Sequence, residues 1–200
     1  MYKIIKRLFD VISATVLFIV LLPLFLIITV LVRLNLGSPV FFLQERSGLH
    51  GKPFKIIKFR TMREDKDSDG KYLPEELRIT RLGRFLRSTS LDELPELINI
   101  IFGAMSVIGP RPLPPIYDHY YHEHERARFN VRSGLIPPDS IDKEPILSWD
   151  RQLAYEAEYA INLSLKVDLR IFFSVIRILM RRKQSDYGGI IRIPLNEERK

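Results

Sequence analysis

Hydrophobic residues fall along this chain in one unbroken block and several shorter periodic ones. Val11 to Val32 (VISATVLFIVLLPLFLIITVLV) holds 22 residues without a charge. At about 1.5 Å of rise per residue, such a helix extends roughly 33 Å, enough for a hydrocarbon core of about 30 Å. A secretory signal would have an apolar region of about 7–15 residues followed by small residues, whereas Arg33, Leu34 and Asn35 follow here. Pro23 stands mid-block, where it removes a backbone hydrogen bond and kinks a helix. Both flanks are basic, with Lys3, Lys6 and Arg7 before the block and Arg33, Arg46, Lys52 and Lys55 after it. Positive residues favour the cytoplasmic side. Two topologies fit: a straight span, or a re-entrant hairpin bent at Pro23 that enters and leaves by one face. Asp10 and Ser13 are polar groups available to fix such a bend.

Beyond the block the periodicity changes. Residues 40–62 (VFFLQERSGLHGKPFKIIKFRTM) give two β-rich runs around a turn at Gly48–Pro53, a β-hairpin. Residues 63–76 are a polar, acidic loop, and 77–102 read as helix broken near Pro95. The Pro-rich stretch 109–115 excludes helix and central strand. Residues 116–130 read as helix, 133–148 as irregular and 149–162 as helix. The stretch 164–183 is a cationic amphipathic helix, with Lys166, Arg170, Arg177 and Arg181 on one face and Ile171, Phe172, Val175, Ile178 and Leu179 over much of the rest. Such a helix suits either a membrane interface or a core edge. Arg78, Arg81, Arg84 and Arg87, alternating with Ile79, Leu82, Phe85 and Leu86, repeat the pattern less fully.

Charge sharpens this picture. The net charge is +7, and residues 1–62, with nine basic and two acidic side chains, account for all of it. That placement excludes a uniformly basic nucleic-acid binder, and 46% hydrophobic residues exclude disorder. With no cysteine there is no disulfide, thiolate metal site or cysteine nucleophile.

Three clusters offer chemistry. Asp65, Asp67, Asp69, Gly70 and Glu76 match the calcium-loop pattern of an EF-hand, but Pro74 falls where the following helix should begin and a strand-like run precedes it, so a solvated acidic loop is expected. His119, His122 and His124 lie among Asp118, Glu123 and Glu125 without a standard metal spacing, which suits a solvated charged helix. The third cluster, Ser88 to Leu97 (STSLDELPEL), has two readings. Ser90 with Glu93 forms a capping box, with acids suited to a first helical turn. Alternatively Asp92 and Glu93 form a metal-assisted nucleophilic site, in which a carboxylate attacks phosphorus and forms an acyl phosphate. That site needs cations against the phosphate oxygens. Lys58 and Arg60 on the preceding strand and Arg111 in the GPRP loop would supply them.

The order of these parts, specific at Lys58-Phe59-Arg60-Thr61-Met62, Ser90-Leu91-Asp92-Glu93-Leu94-Pro95 and Met105-Ser106-Val107-Ile108-Gly109-Pro110-Arg111-Pro112, resembles the monotopic polyprenol-phosphate phosphoglycosyl transferases, the PglC-type bacterial sugar transferases. The likeness covers roughly residues 2–180. It implies transfer of a phosphosugar from a UDP-sugar to polyprenol (undecaprenyl) phosphate with release of UMP, through a covalent aspartyl-phosphosugar intermediate, as the first membrane step of glycoconjugate or polysaccharide assembly. It implies Asp92 as nucleophile, Glu93 as partner for Mg2+ or lipid phosphate, both as metal ligands, and Lys58, Arg60, Arg111 and Pro112 as phosphate-binding positions. It also favours the hairpin bent at Pro23. Two departures stand out. Leu22 replaces a frequent serine before the bend proline, and Arg132-Ser133-Gly134-Leu135-Ile136-Pro137-Pro138-Asp139 replaces a familiar run that we associate with the nucleotide sugar.

The expected fold is therefore α+β. A re-entrant membrane helix (1–36) precedes a catalytic domain (37–200) made of a small β-hairpin and a helical body. Its amphipathic helices rest on the cytoplasmic face of the bacterial inner membrane. Monomer and homodimer are equally compatible with the sequence. The alternatives are a membrane-anchored, non-catalytic scaffold and a calcium-binding module.

Overall fold

The computed structural model describes residues 2–142, 148–181 and 192–199. Expectations for residues 143–147 and 182–183 lie outside the described residues, as do those for the side chains of Ile178, Leu179 and Arg181. The apolar block lies within α1 (Tyr2–Leu36), a helix assigned continuously through Pro23. Its Ile, Leu, Val and Phe side chains are mostly exposed from Ile4 to Leu34. Asp10, Ala14, Phe25, Ile28 and Val32 form its buried stripe. The hydroxyls of Ser13 and Thr29 donate to the carbonyls of Phe9 and Phe25, each at 2.8 Å. Polar groups on an apolar helix are thereby satisfied inside the helix.

The hairpin forms as the alternation predicts. β1 (Phe41–Ser47) pairs antiparallel with β2 (Pro53–Phe59), from Phe41 opposite Phe59 to Ser47 opposite Pro53. Its inner face carries Phe41 and Phe59 with ring centroids 5.5 Å apart, and Phe25 of α1 seats on Phe59 at 5.1 Å. Further along, Ala14 of α1 packs with Ile56, Leu97, Ile100 and Met105.

After the loop come α2 (Glu75–Arg78) and α3 (Arg81–Ser88), then a 3₁₀ turn (Leu91–Glu93) and α4 (Glu96–Ile101). The stretch 77–102 is broken twice before Pro95: at Ile79–Thr80, which are extended, and from Thr89, where Ser90 takes a left-handed conformation with φ 56°. α3 is capped by the Thr80 hydroxyl, which accepts from the Gly83 N–H at 2.9 Å. Gly83 is required there, since a Cβ would lie 2.0 Å from the Thr61 carbonyl oxygen.

Two further expectations need correction. Residues 116–130 form 3₁₀ turns (Pro115–Tyr117 and Glu123–Asn130) rather than an α-helix. The stretch 133–148 is not wholly irregular: β4 (Gly134–Ile136) pairs parallel with β3 (Ser106–Ile108). Three residues are too short to show a period, and their pairing partner is remote in sequence. A Cβ on Gly134 would stand 2.0 Å from the Gly109 nitrogen, so glycine permits this close crossing.

α5 (Trp149–Ile161), α6 (Leu165–Arg181) and α7 (Leu195–Glu198) complete the described body. α6 divides into three sectors. Asp168 and Ile171 are buried, Leu165, Leu169, Phe172 and Phe173 are exposed, and Lys166, Arg170 and Arg177 are exposed beside them.

Both ends of α1 are fastened to the same body. At the N-terminal end, the Arg7 guanidinium donates to the carbonyls of Ile100 (2.7 Å) and Ile101 (3.0 Å), capping the C-terminal end of α4. Lys6 pairs with Asp168 at 3.0 Å, and the Tyr2 hydroxyl donates to the same carboxylate. Asp10 accepts from the Ser106 hydroxyl at 2.6 Å and the Val107 N–H at 3.2 Å. Asp10 thus ties α1 to β3, and among the described residues the Ser13 hydroxyl bonds within α1, to Phe9 and Asp10. At the other end the Arg60 guanidinium donates to the carbonyls of Leu36 and Ser38.

Removing the Asp10 carboxylate leaves the Val107 N–H without its acceptor and takes one of two partners from both Ser106, which keeps the Ile108 carbonyl, and Lys6, which keeps Asp168. Asp10→Ala should cost about 2 kcal/mol, and Ser13→Ala less than about 0.5 kcal/mol. Chemical unfolding of the detergent-solubilised protein checks both; equal midpoints would show that Asp10 does not hold α1.

Candidate active site

Ser90 is the pivot of the site. Its left-handed backbone ends α3 abruptly and turns the next residues toward β2. The expected capping box does not form, because the Ser90 side chain makes no cap hydrogen bond. Glu93 points instead at Lys58, with Oε1 2.6 Å from Nζ. The 3₁₀ turn presents Asp92 and Glu93 to a cavity of about 600 Å³, whose lining includes Arg46, Lys58, Arg60, Arg87, Asp92 and Glu93. No side chain among the described residues donates a hydrogen bond to the Asp92 carboxylate.

Lys58 is clamped by two acids. Glu96 Oε1 lies 3.2 Å from its Nζ, an ion-pair distance without hydrogen-bond alignment, and that oxygen is otherwise unpartnered. Asn99 sets the spacing between strand and helix. Its side chain accepts from the Ile57 N–H at 3.0 Å and donates to the Lys55 carbonyl at 2.8 Å, fixing the β2 backbone just before Lys58.

The charges shape each other. Burial pushes the Asp92 carboxyl above its ordinary pKa and the Glu93 charge adds to it, while Lys58 and Arg87 pull the other way. Burial raises Glu96 to about 7, with Glu93 and Asp92 adding to the rise and Lys58 opposing it. Burial alone would lower Lys58, but the carboxylates of Glu96 and Glu93 outweigh it and hold the ammonium above the usual lysine value.

The other phosphate-binding candidates occupy three positions. Arg60 lines the main cavity while its guanidinium holds the Leu36 carbonyl at the end of α1 and the Ser38 carbonyl just beyond it. Arg111 and Pro112 line an adjoining recess of about 150 Å³ that shares Arg46, Lys58 and Glu93 with the main cavity. The GPRP loop is gripped from behind. The Arg111 N–H donates to Glu156 at 3.1 Å, its carbonyl accepts from Arg128 at 2.5 Å, and Arg128 and Glu156 form a fully buried ion pair at 2.8 Å. The backbone is therefore fixed while the Arg111 side chain stays exposed. Pro23 lies within α1, outside both cavities.

Four site residues were missed by sequence reasoning. Glu96 and Asn99 lie one and two turns beyond Asp92, a helical spacing that could have drawn attention to Glu96. Arg46 joins the two cavities, and burial lowers its pKa, with Arg111 pushing the same way. Arg87 faces the Asp92 cavity, its Nε donating to the Thr61 hydroxyl at 3.0 Å and its guanidinium paired with Glu75. Of the altered 132–139 run, Gly134, Leu135 and Pro137 reach the adjoining recess, whereas the Arg132 side chain turns to the base of α1.

The remaining clusters are otherwise engaged. His122, Glu125 and Asp150 converge within 4.8 Å, but the Arg199 guanidinium donates to both Glu125 and Asp150 and fills the space between them. Asp67 accepts from the N–H groups of Asp69 and Lys71, each at 2.9 Å, closing a tight turn.

Known proteins bear on this geometry. Residues 1–182 match the bacterial sugar transferase family profile. The chain is 42% identical over 174 residues to the uncharacterized sugar transferase EpsL of Bacillus subtilis (strain 168), covering 87% of this chain and 86% of that one. It is 35% identical over 185 residues to a UDP-glucose:undecaprenyl-phosphate glucose-1-phosphate transferase of Caulobacter vibrioides (88% and 69% covered). A putative undecaprenyl-phosphate N-acetylgalactosaminyl 1-phosphate transferase of Bacillus subtilis (strain 168) is 36% identical over 159 residues (78% and 81%).

The raised pKa of Glu96 makes stability depend on pH. The native state holds the Glu96 proton more tightly than the unfolded chain, so this contribution is full below about 4.5 and is lost as pH rises through about 7. Glu96→Gln should flatten the fall in melting temperature between about pH 5 and pH 8. An identical slope in wild type and variant would show that Glu96 ionises normally.

Proposed function

The chain belongs to the bacterial sugar transferase family, and from that membership we propose that it transfers a sugar 1-phosphate from a UDP-sugar to undecaprenyl phosphate, with Asp92 as nucleophile. One observation carries the reading. The Asp92–Glu93 pair, braced by Lys58, opens into a cation-lined cavity whose wall, at Arg60, also holds the end of the apolar helix. A water-soluble donor and a membrane-bound acceptor can meet there.

An oxygen of the Asp92 carboxylate attacks the sugar-linked phosphorus. A carboxylate–phosphorus bond forms, the bridging P–O bond breaks, and its electron pair leaves with UMP. An oxygen of the polyprenol phosphate then attacks the same phosphorus and displaces Asp92, giving a polyprenyl diphosphate sugar. Burial keeps Asp92 basic enough to attack, while Lys58 and Arg87 favour its ionised form. Lys58, Arg46 and Arg111 offer charge to the donor diphosphate, with no water reorganisation at the moment of transfer.

The donor set fits a magnesium ion. Asp92 and Glu93 are adjacent hard-oxygen ligands, the Asp92 carboxylate is free of side-chain donors among the described residues, and magnesium commonly takes one or two carboxylates plus substrate phosphates. Asp92 and Glu93 would hold it, and when bound it would neutralise phosphate charge.

The re-entrant, monotopic arrangement, with residues 37–200 on the cytoplasmic face, is supported by the two ends of α1. Both dock on one body, whereas a spanning helix would have one end across the bilayer. The exposed apolar sector of α6, with cations beside it, suits the same interface.

UMP release from a panel of UDP-sugars, with magnesium and undecaprenyl phosphate, tests the chemistry. Wild type should turn over one or a few sugars, Asp92→Asn should fall by more than about a thousandfold, and chelation should abolish turnover. Wild-type rates in Asp92→Asn would refute the nucleophile, and robust folding with no turnover of any sugar would favour the scaffold reading. Cysteines placed at Lys3 and Ser38 should both label from the cytoplasmic side; labelling from opposite sides would sink the hairpin.

A further inference from the structure

We infer that the protein holds the phosphate of an anionic glycerophospholipid in a cavity at the N-terminal base of α1, apart from the Asp92 site. The cavity measures about 140 Å³, and its polar lining is Lys3, Lys6, Arg7, His50, Asn130 and Arg132, with Asp10 and Ser106 at the back. It is small beside the pockets of about 300–1,000 Å³ that take drug-sized ligands. A phosphate group suits it; a sugar nucleotide does not.

The charges in this cavity are unbalanced. Its one acid is Asp10, already engaged by Ser106, Val107 and Lys6. Lys6 is matched by Asp10 and Asp168. Lys3, Arg7 and Arg132 have no carboxylate partner among the described residues. Lys3 donates to the Asn130 carbonyl at 3.3 Å and Arg7 to the carbonyls at the end of α4. Two guanidiniums also converge on Gly103: Arg132 Nε donates to its carbonyl at 2.9 Å, and Arg7 Nη2 lies 3.2 Å from where a Cβ would stand. Like charges held together in a recess are relieved by an anion, and a phosphate accepts from several such donors at once.

The surroundings select a lipid. Lys3, Lys6, Arg7 and Asp10 share the inner face of α1, while Ile4, Ile5, Leu8 and Phe9 are exposed on its outer face. Phe102, beside Gly103, is 83% exposed. Residues 3–10 immediately precede the apolar run, at the depth where headgroups lie. A phosphate seated between Lys3 and Arg132 would have its acyl chains beside this apolar surface. The inference rests on α1 lying in a membrane, not on the transfer reaction.

The test is native mass spectrometry of the full-length protein in detergent, titrated separately with phosphatidylglycerol and phosphatidylcholine. The expected result is one phosphatidylglycerol bound in preference to phosphatidylcholine and retained in excess inorganic phosphate. Binding should weaken about tenfold in Lys3→Gln/Arg132→Gln and recover in Arg132→Lys. Lys3→Gln alone, on an exposed side chain, should weaken it about threefold and guards against misfolding of the double variant. Asp92→Asn should keep the lipid while losing UMP release, so loss of the catalytic reading would leave this result standing. Four outcomes overturn the inference: equal retention of both lipids, displacement by inorganic phosphate, tighter binding of undecaprenyl phosphate through the same two residues, or wild-type binding in a double variant with an unchanged melting temperature.

Discussion

Everything in this structure depends on how an almost wholly apolar helix is held against a polar body. Apolar contact alone cannot fix its position, because the same side chains are equally content in lipid. The register comes from polar groups with one acceptable partner. Asp10 meets Ser106 and Val107, Lys6 and Tyr2 meet Asp168, and Arg7 meets the open carbonyls of α4. Each is costly to bury unpaired, so sliding or rotation of α1 would expose several unmet groups together. The phenylalanines at 25, 41 and 59 then fill the remaining contact.

The candidate site inherits its precision from this scaffold. Asn99 bonds the β2 backbone at Lys55 and Ile57, just before Lys58, and Ser90 aims Glu93 back at that lysine. A second buried frame, Arg128 with Glu156, holds the GPRP loop so that Arg111 stays exposed toward the recess. Neither frame performs chemistry. Each removes a degree of freedom from a side chain that would otherwise be a long, flexible cation.

Much of this was legible in the chain because its signals are local. The β-hairpin follows from alternation around a glycine turn, α1 from an uninterrupted apolar run, and the closeness of Lys58 to Asp92 and Glu93 from a family resemblance. What the sequence concealed is non-local. Three residues of β4 carry no period, and their partner strand begins at Ser106, far upstream. Ser90 looked like a cap because Ser-x-x-Glu is a capping pattern, yet Lys58, from a distant strand, competes for Glu93 and wins. Glu96 looked like another surface acid of a helix start, and only its burial beside Lys58 reveals otherwise. Arg87 read as part of a basic stripe because its neighbours in sequence are cations, while its neighbours in space are Thr61, Glu75 and the Asp92 cavity.

Arg60 is the residue where two architectures meet. Its guanidinium holds the last carbonyl of α1 and that of Ser38 just beyond, and the same residue forms part of the cavity wall beside Asp92. Such a joint works as a lever. On the proposed reading α1 lies in a bilayer, where an apolar helix answers a change of thickness by tilting or bending. Any such movement of its C-terminal end would pull on the same side chain that walls the Asp92 cavity.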